Sequence, residues 1–251
     1  MNENRMTTED TWQKHWSGRN YIQYVSKTYS YHDVINRISH QIPIGGSCIE
    51  LGGFPGYFSI YFKKYCGFVP TLIDYYFDKK IFKDIIDFNG LSESDICCIK
   101  DDVFTHSPNN RYDLVASFGL IEHFADPYDI LRAHIKYMKP GGILLIGLPN
   151  FKGINGLLQK YFDPENLSIH NLDVMNLALI KNNLKDLGLL HVDVSYYPST
   201  QVWIENISDR GVIINLIVRL VGKITKFSGL LFGKENKILS NSIIVTARAP
   251  E

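Results

Sequence analysis

Charge of one sign is missing from this chain. Its 26 Lys and Arg balance 26 Asp and Glu over 251 residues, so the net charge is zero. That argues against a nucleic-acid partner held by phosphate neutralisation, which needs a basic surplus. Cysteine is scarce: Cys48, Cys66, Cys97 and Cys98 are all the chain has, and they lack metal-ligand spacing. Reduced core thiols, and hence a cytoplasmic setting, are the expectation. Long apolar runs are absent too. None approaches the roughly 18–20 residues needed to span a bilayer, so no transmembrane segment is expected. The opening MNENRMTTED is polar and acidic and carries no secretory pattern. There is no internal repeat, low-complexity tract or clean linker, and a single domain over 1–251 is expected.

What is present is apolar and aromatic material, 45% and 13% of the chain. That is ample for the core of one α/β domain. The stretch Cys48-Ile49-Glu50-Leu51-Gly52-Gly53-Phe54-Pro55-Gly56 organises the rest. Its apolar start reads as a buried strand, Ser47–Leu51. The pattern Phe58, Tyr61, Phe62, Tyr65 after it reads as a helix over Tyr57–Tyr65. Glycine frees the turn between them and lets a ligand approach the main chain. Glu50, at the strand's end, can meet the same ligand. At the carboxyl edge of a parallel sheet, this builds a small-molecule site.

A second strand, Thr71–Ile73, ends in Asp74. That acid lies 24 positions after Glu50, close to the offset of about 20 at which an acid reaches ribose hydroxyls in dinucleotide folds. Residues 78–90 read as a helix and Ile96–Ile99 as a third strand leading into Asp101-Asp102-Val103. Tyr112–Phe118 reads as a fourth strand and Pro127–Met138 as a helix. Lys139-Pro140-Gly141-Gly142 reads as a turn and Ile143–Leu148 as a fifth strand ending at Pro149-Asn150. This alternation argues for a parallel sheet wrapped on both faces. Beyond it, 151–172 reads as loop-rich, Leu172–Leu187 as a helix, Leu190–Tyr197 as a strand and Ser242–Ala247 as a closing strand.

Taken in order, the glycine stretch, Asp74, Asp102-Val103, YDLVASFGLIEHF and MKPGGILLIGLPN resemble the class I S-adenosylmethionine-dependent methyltransferases. The nearest resemblance is to small-molecule and sugar- or polysaccharide-pathway enzymes. It covers roughly residues 45–190. It implies a Rossmann-like fold, a seven-stranded, mostly parallel sheet with one antiparallel strand and helices on both faces, and S-adenosyl-L-methionine as cofactor. Residues 45–150 would then be the cofactor-binding half. Residues 151–251 would be the acceptor side, with a helical insertion near 205–235. Glu50 with Gly52, Gly53 and Gly56 would cradle the methionine part. Asp74 would hold the ribose hydroxyls, and Asp102 would face the adenine amino group with Val103 beside it. Ser117, Phe118 and Gly119 would line the methionine moiety. Phe54 stands where the family usually has a middle glycine, and Pro55 follows it.

Methyl transfer is an in-line displacement, so holding the acceptor supplies much of the rate. A hydroxyl acceptor also gains from a base. His123, beside Glu122, and His170 are the two candidates, because histidine titrates near neutrality. His170 and Asn150 are also candidates for contact with the acceptor. The other histidines, His15 among them, have no such placement and read as surface or packing residues. No metal ligand set stands out around Asp101 and Asp102. Residues 1–40, with Trp12 and Trp16, read as helices over the sheet edge, the tryptophans as packing anchors or a lid. The apolar run Gly211–Phe227, ringed by Val, Ile and Leu, reads as a buried helix or oligomer contact. The alternative is a membrane-surface helix with Arg219, Lys223 and Lys226 toward lipid. The expected function is methylation of a small polar metabolite, a hydroxyl of a sugar or surface-polysaccharide precursor. Methylation of another metabolite, including an amine, is the alternative. A non-catalytic scaffold is the non-enzymatic reading, with Phe54 its support. A nicotinamide dehydrogenase fits less well, because the glycine loop does not run GxGxxG.

Overall fold

Alternation along the strands divides the core. In β1 (Ser47–Leu51), Cys48 joins one apolar cluster while Ile49 and Leu51 join another on the opposite face. The computed structural model describes residues 4–17, 19–198, 202, 204, 211–232 and 236–251. The other strands are β2 (Val69–Asp74), β3 (Cys97–Lys100), β4 (Tyr112–Phe118), β5 (Met138–Pro149), β6 (Leu190–Tyr197) and β7 (Ser242–Arg248). They form one seven-stranded sheet in the order β3-β2-β1-β4-β5-β7-β6. Only β7 runs against its neighbours, pairing antiparallel with β5 and β6. This is the expected Rossmann-like methyltransferase architecture.

The helices are α1 (Glu9–Trp16), α2 (His32–Ser39), α3 (Tyr57–Tyr61), α4 (Lys79–Phe88) and α5 (Pro127–Ile135), followed by α6 (Ile154–Phe162), α7 (Pro164–Ser168), α8 (Leu177–Asp186) and α9 (Val212–Phe232). One face of the sheet is covered by α2, α3 and α4, through Ile35, Ile60 and Ile85 among others. The other is covered by α5 and α8, through Ile130, Leu131, Ile180 and Leu184. Local chemistry sets the starts. The Asp78 side chain accepts from Ile81 N at the head of α4, and Asp126 accepts from Tyr128 N before Pro127 of α5.

The expected elements are corrected in four places. The Lys139–Gly142 turn lies inside β5, because Tyr112 pairs with Met138 and the register slips at a bulge before Leu114 meets Ile143. The helix expected over Leu172–Leu187 is broken. Asn176 caps α8 by accepting from Ala178 N and Leu179 N, so the helix begins at Leu177. The loop-rich 151–172 segment holds α6 and α7. Gly156 misled because it serves close packing. A Cβ there would lie 1.7 Å from the Phe151 carbonyl oxygen. The fourth correction concerns the apolar run Gly211–Phe227, which is not buried. It belongs to α9, where Val218 and Val221 pack with Leu158 and Ile204, and Val212, Leu216 and Leu220 stay exposed. The ends of the expected insertion, 205–210 and 233–235, lie outside the described residues.

Asn150 is also corrected here. It is fully buried, and its side-chain amide donates to the Lys237 and Ser240 carbonyls, each at 2.8 Å, while its oxygen accepts from Lys152 N. It staples the segment before β7 and makes no contact with the cleft described below. Asn150→Ala leaves the Ser240 carbonyl as a buried acceptor without its partner, at a cost of about 1–3 kcal/mol, and removes the part-buried bond to the Lys237 carbonyl. The expected result is a melting temperature several degrees lower with cofactor affinity unchanged. A differential scanning fluorimetry series with and without ligand checks it.

Candidate active site

The carboxyl ends of β1, β2 and β4 open into a cleft of about 290 Å³. It is the position where parallel α/β sheets bind small ligands. Glu50, at the end of β1, is buried. Its Oε2 accepts from Ser59 N at 2.9 Å and from Ser59 Oγ at 2.6 Å. Burial outweighs these bonds and pushes its pKa up to about 8. Gly52 has φ +62°, in the left-handed region. A Cβ on Gly52 would lie 2.5 Å from the Leu120 side chain, and one on Gly53 would lie 2.6 Å from the Glu50 carboxyl carbon. The loop therefore needs glycine at both positions. Gly56, with φ +102°, starts α3 beneath the loop.

Asp74, at the end of β2, is buried. Its oxygens accept from Phe54 N and Tyr76 N, each at 3.0 Å, and burial raises its pKa to about 6. Phe54, the departure from the family pattern, thus ties the glycine loop to Asp74 through its main chain. Its ring packs edge-on against Trp16, Tyr76 and Phe77. Val103, Phe118 and Gly119 also line the cleft. Phe118 stacks on Phe58 at 3.6 Å between centroids.

Two expected cofactor residues stand apart. Ser117 shares a strand face with Val115, and its Oγ bonds His134 Nε2 of α5 at 2.9 Å, away from the cleft. Asp102 is not among the lining residues; its Oδ1 is held by Arg5 Nη2 at 2.5 Å and by Phe104 N. Arg5 comes from the N-terminal segment, which pairs with the Phe124 main chain and bonds His123 O through Met6 N. No sequence pattern announces that contact, because 97 positions separate Arg5 from Asp102.

At the other end of the cleft, His123 and His170 lie with ring centroids 4.5 Å apart. His123 Nδ1 bonds Ile169 O and His170 Nδ1 bonds Asn166 O. Burial lowers their pKa values to about 3 and about 4, so both are neutral. His15, dismissed by sequence, lines the same end, with its pKa lowered to about 3 by burial first and Arg19 second. Trp12 meets His123 edge-on at 5.0 Å. The residue that sequence reasoning passed over is Glu122. It is buried, its Oε2 has no hydrogen-bond partner, and burial raises its pKa to about 8. Its only signal was adjacency to His123. Ligand atoms of Glu122, His123 and His170 lie within 4.8 Å of one another, a set able to take a divalent cation, whereas Asp101 is engaged with His106.

The methyltransferase domain family matches residues 21–192, more than half of the chain. The chain belongs to this methyltransferase family. The class I, S-adenosylmethionine-dependent enzyme that the motif order implied therefore stands. Among solved structures, the chain is similar to phosphoethanolamine N-methyltransferase 2 of Haemonchus contortus, solved with S-adenosyl-L-methionine (TM-score 0.61, 14% identity). That match covers 97% of this chain but only 58% of the worm enzyme. It is also similar to a putative sarcosine dimethylglycine methyltransferase of Galdieria sulphuraria (0.55, 14%, covering 96% and 98%). The N-methyltransferase NodS of Bradyrhizobium japonicum, with S-adenosyl-L-homocysteine, scores 0.54 at 13% identity, covering 98% and 95%. Curated protein sequences give no match. At these identities the structural likeness speaks for the fold.

The buried Glu50 gives the methyltransferase a pH signature. Its folded pKa, about 8, lies above its ordinary 4.5, so the native state keeps the proton longer than the unfolded chain. This carboxyl costs nothing below pH 4.5 and destabilises the ligand-free protein increasingly as pH rises toward 8. Glu50→Gln keeps an acceptor for Ser59 and removes that loss. Its melting temperature is expected to exceed the parent's by a margin that grows from pH 5 to pH 8; a margin independent of pH would contradict the assignment.

Proposed function

We propose that the protein transfers a methyl group from S-adenosylmethionine to a small polar acceptor, a hydroxyl of a sugar or surface-polysaccharide precursor. The observation that carries the reading is the clustering of three buried carboxyls, Glu50, Asp74 and Glu122, in one cleft at the carboxyl edge of the sheet. The donor's positive sulfonium makes its methyl electrophilic and suits such surroundings. Glu50 and the Gly52-Gly53 main chain hold the methionine part and Asp74 the ribose hydroxyls, with Val103 beside the adenine and Phe118-Gly119 along the methionine moiety. Asp102 and Ser117 take no part in this reading, since Arg5 and His134 engage them.

Among the groups at the acceptor end, Glu122 is the best-poised base. A base works best when its pKa lies near the working pH, and Glu122 at about 8 meets that better than His123 or His170 at about 3 and 4. Each histidine keeps one ring nitrogen beyond its Nδ1 bond to accept from the acceptor's hydroxyl, so both act in orienting it. Trp12, Trp16 and Tyr29 line the cleft and offer flat faces to a sugar ring. The N-terminal segment, tied down through Arg5 and Met6, acts as the lid that keeps water out.

The second reading is an amine acceptor. It is favoured by the structural neighbours that are N-methyltransferases, and an unprotonated amine needs no base. A panel of nucleotide sugars, amino-acid phosphates and amines, followed by mass spectrometry, separates the two. With a hydroxyl acceptor, Glu122→Gln is expected to lower kcat by about 10²-fold or more, the usual scale for a positioned base. Donor affinity should change little. A normal rate would remove Glu122 from that role.

Carboxyls held protonated by burial should lose protons when a cation enters beside them. Calorimetry at pH 7 in two buffers of different protonation enthalpy reads this. S-adenosylmethionine should release more proton per site than S-adenosylhomocysteine, which has the same groups but no sulfonium charge. Equal release would place the sulfonium away from Glu50 and Glu122.

A further inference from the structure

The exposed face of α9 is a feature that the cleft does not use. At 100° per residue, Val212, Ile213, Leu216, Ile217, Leu220, Ile224 and Phe227 fall within about 140° of arc. All of them are exposed, Val212 by 75%, Ile213 by 74%, Leu216 by 60% and Leu220 by 59%. The opposite side carries Val218 and Val221, which pack on Leu158 and Ile204. So α9 is anchored by one face and presents an exposed apolar stripe on the other, entered near one edge by Lys223. An isolated exposed leucine needs no explanation; a contiguous row along a 21-residue helix does.

Charge decides what covers it. Between Gly211 and Phe232 the sequence has Arg219, Lys223 and Lys226 and no acid. On the helical projection the Lys226 and Arg219 positions lie just outside one edge of the apolar stripe and Lys223 just inside that edge, between Val212 and Leu216, and the Arg219 and Lys223 side chains are exposed. Apolar side chains flanked by long cationic ones match a membrane interface. The stripe enters the acyl boundary while the cations reach back to anionic headgroups. A second copy of this chain fits less well, since a two-fold contact sets the same patch against itself and brings cation to cation with no acid on either helix. Nor does α9 cross a bilayer: among the described residues no helix is long and apolar enough.

We infer that α9 docks the enzyme onto an anionic lipid surface, lying in the interface plane with Val212, Leu216 and Leu220 inserted. This contact is independent of what the cleft methylates.

Full-length protein, shown to be folded by its melting transition, is mixed with vesicles of phosphatidylcholine alone or with 30% phosphatidylglycerol and sedimented. Binding is expected to the anionic vesicles, weakening as salt rises. Arg219→Gln with Lys223→Gln should lower the partition coefficient about 30-fold, at about 1 kcal/mol per surface cation. Leu216→Ser with Leu220→Ser should lower it at least tenfold. All four side chains are exposed, so the fold should survive both pairs. Failure of folded protein to sediment with anionic vesicles would overturn the inference. So would a micromolar dimer that Leu216→Ser with Leu220→Ser dissociates and that binds no vesicle, since a second copy would then be the occupant.

Discussion

Three carboxyl groups held out of water govern the construction of this protein's cleft. A buried carboxylate is costly unless it is paired, bonded or neutral. Glu50 is held by Ser59 at the start of α3, and Asp74 by the Phe54 and Tyr76 main chains. Glu122 keeps one oxygen unbonded. Each therefore has a raised pKa and a reason to welcome positive charge. The start of α3 and the Phe54 main chain supply donors to Glu50 and Asp74. Their tension is relieved when a cationic ligand arrives, which is how a site can be stable when empty and still favour its ligand.

The sheet makes the placement possible. Parallel strands deliver Glu50, Asp74 and the Phe118-Gly119 turn to one edge, while α5 and α8 fill the far face. Arg5 and Trp12 of the N-terminal segment line the cleft, and Met6 N donates to the His123 carbonyl beside it. Below and to the side, α6 supports α9, which turns its apolar stripe outward.

Much of the strand framework was legible in the sequence, because apolar runs bounded by Gly, Pro and Asp have few other readings. β1, β4 and β6 begin and end at the expected residues. The lining of the candidate cleft was legible in part. Motif order picked out Glu50, Gly52, Gly53, Asp74, Val103, Phe118 and Gly119, all of which line the cleft. Four things could not be read. Arg5 captures Asp102 across the chain, and nothing local marks a long-range ion pair. Ser117 and Asn150 sit on promising strand ends, but the pleat and a neighbouring loop turn them to structural bonds. Glu122 looked like a companion to His123, since its importance comes from burial and an unbonded oxygen, which only packing reveals. The exposed stripe of α9 was hidden likewise: an all-round apolar pattern suggests a buried helix until the partner surface proves to cover only one side.

The most direct test of the central claim is a crystal structure of the protein grown with S-adenosylhomocysteine. The account predicts the ligand along the carboxyl ends of β1, β2 and β4. Its ribose hydroxyls should lie on Asp74, its amino-acid end by Glu50 and Gly52-Gly53, and its sulfur should face the end of the cleft where Glu122, His123 and His170 meet. A ligand bound elsewhere, or a soaked crystal at saturating concentration with this cleft filled only by solvent, would contradict it.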